Sequence, residues 1–293
     1  MAKIKNIKAR QVFDSRGNPT VEAEVILDNG ISASAIVPSG ASTGTYEAHE
    51  LRDKKDSYFK GKSVLNAVQN IKEIIYEEIK NLNVDDQEKI DQILIDRDSS
   101  ENKQFLGANS LLAVSIAVNK AASINRRENY SNLGYDVSIP IPLMNIINGG
   151  AHADNGLKIQ EFMIRPEDPI HFMGAIEHCF LVIHSLKKIL KSKKLLVNVG
   201  DEGGFAPSIN SNEEALELIV DAIESTKLQP GKHISICLDV AANELIDKNG
   251  KYSIQSENYL NVDEVINYYK KIISNYPIKS IEDPFAENDW KAW

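Results

Sequence analysis

The sequence predicts a two-domain α/β protein. An N-terminal α+β domain, built as a three-stranded antiparallel meander plus helices, is expected over residues 1–134, and an α/β sheet or barrel over residues 137–293. Three observations predict it. Apolar residues alternate with period two near the N-terminus, recur at threes and fours from Val64 to Leu82, and beyond Pro140 form short runs separated by long helical stretches.

The first strands are read from "IKNIKARQVFD" and from Val21, Ala23, Val25 and Leu27, which share one face. "DNG" then supplies a tight turn, and Ile31, Ala33, Ala35 and Val37 resume the alternation. Val64, Leu65, Val68, Ile71, Ile75, Ile79 and Leu82 are expected to form the apolar stripe of a helix. Asp85 and Asp86 are suited to start the next one, and the Ala-rich "GANSLLAVSIAVNKAASI" predicts a buried third. A linker is placed near residue 135, before Pro140 and Pro142 open the run "LMNII". "KIQEFMI", helices over about 170–192 and 212–226, "ISICLDV", a helix across "VDEVINYYKKIISNY" and then "IKSIEDP" complete an alternation that suggests a parallel sheet or barrel. Barrel strands are expected to end near Ile147, Met163, Asp239 and Glu282, and "DPFAENDWKAW" to open a further helix.

Composition narrows the function. Acidic residues outnumber basic ones by 42 to 33, for a net charge of −9, which argues against nucleic acid or an anionic membrane surface as partner. "MAKIKNIKARQVFDSRG" has no apolar leader, so no signal peptide is expected, and "ANSLLAVSIAVNKAAS" is too short and interrupted to span a bilayer. Cys179 and Cys237, without ligand spacing, fit a reducing cytosol and are expected to be buried and inert.

The chemistry lies in acids near the predicted strand ends: Gln160 and Glu161 inside "KIQEFMI", Asp201 and Glu202 in "NVGDEGGFAP", Asp239 after "ISICL", and Glu282 with Asp283 after "KSI". Barrel strands deliver the residues at their C-terminal ends to one mouth. Several carboxylates there would repel one another unless a hard divalent cation such as Mg²⁺ were shared among them. Taken singly, Asp239 also reads as a helix cap, Asp201 and Glu202 as a turn, and His152 in "NGGAHADNG" as a solvent-exposed loop histidine. Glu161 is harder to dismiss, because an unpaired carboxylate in an apolar run is costly to bury. "VPSGASTGTYEAHELRD" reads either as a flexible connection or as a loop that closes over a site; it lacks the Gly-Lys-Ser/Thr ending of a phosphate loop.

In order and spacing, "DSRGNPTVE", "VPSGASTG", "LGANS", "NGGAHADN", "QEFMI", "NVGDEGGFAP", "CLDVAA" and "SIEDPFAENDW" resemble the motifs of the enolase family, the phosphopyruvate hydratases of glycolysis, in its bacterial form. The resemblance covers the whole chain. It implies an enolase-type TIM-like barrel, and residues 137–293 are fewer than the about 250 that a complete barrel takes, so about its first half is expected here.

The implied reaction is the reversible loss of water from 2-phosphoglycerate to give phosphoenolpyruvate, with two Mg²⁺ per active site. Residue by residue, Glu202 matches the acid that protonates the departing hydroxyl, Glu161 its partner carboxylate, Gln160 a substrate contact and His152 a loop histidine that approaches the substrate. Asp239 and Glu282 match two of three carboxylates on the first Mg²⁺, and Ser42 matches the ligand of the second. The third carboxylate, the lysine base and the phosphate-gripping loop are expected beyond Trp293. The resemblance also implies a cytoplasmic protein, allows a cell-surface or secreted fraction, and implies a homodimer or higher homo-oligomer. Two alternatives stand beside it. One is a truncated, catalytically inactive enolase kept as an interaction or surface-binding module; the other is a distant relative acting on a different carboxylate, against which "GASTG", "QEFM" and "GDEGG" argue. A barrel left half open exposes apolar strand edges and faces, so the chain expressed alone is expected to aggregate, self-associate or need its missing half.

Overall fold

A computed structural model describes residues 1–40, 43–54, 58–128, 139–167, 171–200, 203–255 and 258–293. The chain divides into two units, Met1–Val137 and Ser138–Trp293, each around its own apolar core. The linker expected near residue 135 lies outside the described residues.

In the first unit β1 (Ile4–Phe13), β2 (Pro19–Leu27) and β3 (Ser32–Val37) form the antiparallel meander in sequence order. Val21, Ala23, Val25 and Leu27 are all fully buried, as the alternation requires. α1 (Leu65–Asn70) continues through a π-turn (Ile71–Ile75) into α2 (Tyr76–Ile79). Val64, Val68, Ile71, Ile75 and Ile79 form the buried stripe. Leu65 does not join it and is exposed, because one helical step turns it roughly 100° away from Val64. α3 (Gln87–Asp98) starts after Asp86, but no side chain caps it; Asp85 instead pairs with Arg126 at 2.8 Å. α4 (Ala108–Arg126) packs Ala113, Val114, Ala117, Val118 and Ala121 into the core beneath β2 and β3.

The second unit places β4 (Met144–Asn148), β5 (Glu161–Pro166), β6 (Ile234–Asp239) and β9 (Ile278–Glu282) side by side in that order, with β7 (Tyr252–Gln255) and β8 (Asn258–Leu260) as a separate hairpin. The parallel sheet expected from sequence is corrected here. β4 with β5 and β5 with β6 are antiparallel, and only β6 with β9 is parallel. The connections explain the directions. A loop without an α-helix, carrying one 3₁₀ turn (Gly150–His152), joins β4 to β5. Two helices packed on each other, α5 (Phe172–Ser192) and α6 (Asn212–Ser225), return the chain to β6, and the hairpin followed by one crossover helix, α7 (Val262–Asn275), leads to β9. Each of these helices has a built start: His171 accepts from the Gly174 amide, Ser211 from that of Glu214, and Asn261 with Glu264 forms a reciprocal capping box.

The strand predicted to end near Met163 instead runs on to Pro166. Residues 283–293 do not open a helix either. Phe285 docks edge-on against Tyr252 and Tyr269, each at 5.9 Å, and against Trp293 at 6.4 Å. The Tyr269 hydroxyl donates to the Pro284 carbonyl at 2.8 Å, the Tyr252 hydroxyl accepts from the Ala286 amide at 3.1 Å, and the Trp293 indole donates to the Ala286 carbonyl at 3.1 Å. Side-chain docking and short-range turn bonds, such as the Asp289 amide to the Ala286 carbonyl at 3.0 Å, hold this segment instead of a helix. Both cysteines are buried, and burial pushes the Cys179 thiol up to about 11. Among the described residues no helix is long and apolar enough to cross a membrane.

Candidate functional site

Phe162, Ile164, Ile236, Leu238 and Ile281 pack toward the helices, so strand alternation sends Glu161, Met163, Cys237, Asp239 and Glu282 to the opposite face. The register then sets Asn148, Glu161, Asp239 and Glu282 opposite one another across all four strands. Neighbouring strands lie about 4.8 Å apart, close enough for carboxylates in one row to share a ligand. Because β5 is antiparallel to its neighbours, Glu161 enters this row from the start of its strand, whereas Asn148, Asp239 and Glu282 enter from the ends of theirs.

Asp239 accepts two hydrogen bonds, one from the Gln160 side-chain amide and one from the Ala241 backbone, each at 3.1 Å. Burial nevertheless holds its carboxyl above the usual range, with Asp283 adding to the effect and the two hydrogen bonds and His152 opposing it. Glu282 is also raised, first by burial and then by the charges of Asp239 and Asp283. Asp283 itself carries a φ of 44°, a left-handed conformation uncommon outside glycine.

His152 is not the solvent-exposed loop histidine that its sequence position allows. It is 8% exposed, with Nδ1 3.2 Å from Oε1 of Glu161 in a close contact that lacks hydrogen-bond alignment. Gln160 is 3% exposed, and among the described residues its Oε1 finds no hydrogen-bond partner while its amide is committed to Asp239. The structure thus gathers His152, Gln160, Glu161, Asp239 and Glu282 at one end of the sheet. Ser42, Asp201 and Glu202 lie outside the described residues. Sequence reading missed Asn148, whose only signal is a polar residue closing the apolar run "MNII".

Among the described residues no three His, Cys, Asp or Glu side chains converge into a closed metal cage. Asp239 and Glu282 supply two hard oxygen donors from adjacent strands. Both are held reluctant to ionise, a condition that a bound cation relieves. That donor set suits Mg²⁺, which takes one or two carboxylates and completes its shell with water and substrate.

A family profile described as "Enolase, N-terminal domain" matches residues 4–133, and one described as "Enolase, C-terminal TIM barrel domain" matches residues 136–293. The chain is also similar to "Enolase" of Pelagibacter ubique (strain HTCC1062), 56% identical over 296 residues that cover 100% of this chain and 70% of that protein. The chain belongs to the enolase family. By class it is therefore a phosphopyruvate hydratase, a carbon–oxygen lyase. The mixed sheet belongs to an enolase barrel domain, and the row of acids lies along one edge of it, at the start of β5 and the ends of β6 and β9.

Proposed function

We propose that this site serves the reversible dehydration of 2-phosphoglycerate to phosphoenolpyruvate in glycolysis, carried out by the enzyme with its whole barrel. The observation that carries this reading is the row Glu161, Asp239 and Glu282, aligned across three strands with His152 against Glu161. Asp239 and Glu282 would hold the first Mg²⁺, and Ser42 the second of the two expected. Bound there, Mg²⁺ would supply the positive charge that stabilises a substrate carboxylate as the neighbouring carbon loses its proton.

Each protein group then has a distinct task. Gln160 fixes the Asp239 carboxylate through its amide and keeps Oε1 available to accept from a substrate hydroxyl. Glu202 would donate the proton with which the hydroxyl leaves as water, and Glu161, which matches the family's partner carboxylate, would favour the protonated form of that acid. His152 reaches the substrate from the loop that follows β4. Family membership also supports a cytoplasmic glycolytic enzyme that works as a homo-oligomer.

The test is a coupled assay of phosphoenolpyruvate formation with Mg²⁺. It uses the chain alone and the chain joined to the part of the Pelagibacter ubique protein beyond the matched region. Turnover by the joined form, abolished by Glu202→Gln, is expected; undiminished turnover in Glu202→Gln would overturn the assignment.

A further inference from the structure

We infer that Asn148 is a positioning residue, which ties the His152 loop to the backbone of Gly200, Gly204 and Phe205 at the level of Glu161. Asn148 is fully buried at the end of β4, as the register partner of Glu161. Its four polar groups go to four different places. The backbone amide donates to the Phe205 carbonyl at 2.8 Å, and the side-chain amide donates to the Gly204 carbonyl at 2.6 Å. The side-chain oxygen accepts from Asn145 at 2.6 Å, and the backbone carbonyl accepts from the Asn155 side chain at 2.9 Å.

Asn155 extends the tie by donating also to the Pro207 carbonyl at 3.1 Å, so both loops hang from one pair of amides. The Gly204 carbonyl is shared, accepting from the Gly200 amide at 2.9 Å as well as from Asn148. A Cβ at Gly200 would lie 2.7 Å from the Asn148 side-chain nitrogen and 2.9 Å from the His152 carbonyl. The loop bearing His152, the glycine loop and Asn148 are therefore in contact with no spare room. Replacing Asn148 removes one of the two donors to the Gly204 carbonyl and the acceptor of the Asn145 amide, so the side-chain tie between the loops is lost and both are freer to move against Glu161.

The catalytic consequence rests on the proposed dehydration, because it matters only if His152 acts there. The tie itself does not, so the test has two arms. Amide hydrogen exchange compares the protein with Asn148→Ala and Asn155→Ala. Asn148→Ala is expected to speed exchange in 149–157 and at Gly200, Gly203 and Phe205 by about tenfold or more, with the β5 and β6 ladder unchanged. Asn155→Ala, a milder change at a half-buried side chain, is expected to loosen 149–157 and leave Gly200, Gly203 and Phe205 protected. Exchange that rises uniformly across the second unit, or in neither loop, would overturn the inference. In the joined form, Asn148→Ala is expected to lower kcat about tenfold or more while KM moves less than about threefold, as for a group acting through others in the transition state. Loosened loops without any turnover in the unsubstituted joined form would leave the tie standing and sink the dehydration reading instead.

Discussion

Asp239 and Glu282 end adjacent parallel strands as direct register partners, and both carboxyls sit above the usual carboxylate range, burial acting first in each. A like charge across a strand pair opposes folding rather than supporting it. This corner of the sheet is thus less stable than its surroundings require, which is the expected state of groups arranged to take a cation.

The first prediction follows from the sign of these shifts. A raised folded-state value means that the folded form binds more protons than the unfolded chain, so stability falls as pH rises from the ordinary carboxylate range through the raised values. In metal-free protein, Glu282→Gln removes one of the two charges. The unfolding free energy from urea denaturation should rise relative to the unsubstituted protein at neutral pH, by about 0.2–1 kcal/mol because Glu282 is only partly withdrawn from water and is screened, and the two proteins should converge as pH falls below the ordinary carboxylate range. A gap that is independent of pH would contradict this.

Mg²⁺ should reverse that penalty. At about 100 times its dissociation constant the ion is expected to stabilise the fold by about 2.7 kcal/mol, and acidification through the raised range should weaken its apparent affinity as protons compete for the same oxygens. Asp239→Asn is the matched control. Its side-chain amide can turn toward Gln160 Oε1, which has no partner among the described residues, so folding should survive while the response of the unfolding midpoint to Mg²⁺ disappears.

The residues of the row were legible in the sequence, but its geometry was not. Asp239 and Glu282 follow short apolar runs that can be read directly, and the burial of Val21, Ala23, Val25 and Leu27 follows from period-two alternation alone. Strand direction leaves no such mark, because side chains alternate identically whichever way a strand runs. Glu161 was therefore found as an odd carboxylate in an apolar run, without the knowledge that it enters the row from the start of β5. The hairpin of β7 and β8 was missed because "YSIQSENYL" is short and half polar, and it is held by Tyr252, which reaches Asp289 at 2.8 Å from far along the chain. The segment after Glu282 was misread for the same kind of reason: Phe285 is captured by rings that only the folded unit brings near.

That capture makes Phe285 the next test. It is 8% exposed and contacts three aromatic rings. Truncation to alanine should cost about 3–5 kcal/mol in urea denaturation of the second unit, and Phe285→Leu clearly less, because most of the buried volume is kept. A loss below about 1 kcal/mol for alanine would show that residues 283–293 are only loosely attached.

Gly204 carries the last prediction. A Cβ placed there would lie 2.7 Å from the Ile146 carbonyl carbon and 3.0 Å from the Ile147 amide nitrogen, both backbone atoms of β4 that cannot rotate aside. β4 is itself fixed against β5 by its ladder, and Asn148 at its end holds the Gly204 carbonyl. Gly204→Ala must therefore either displace the loop or bend the strand, at a cost of about 1–3 kcal/mol in the unfolding free energy of the second unit. If the loop gives way, exchange rises at Gly200 and Phe205 while β4 stays protected; if the strand bends, Ile146 and Ile147 lose protection as well. A variant with unchanged stability and unchanged exchange would show that the contact between β4 and this loop is slack.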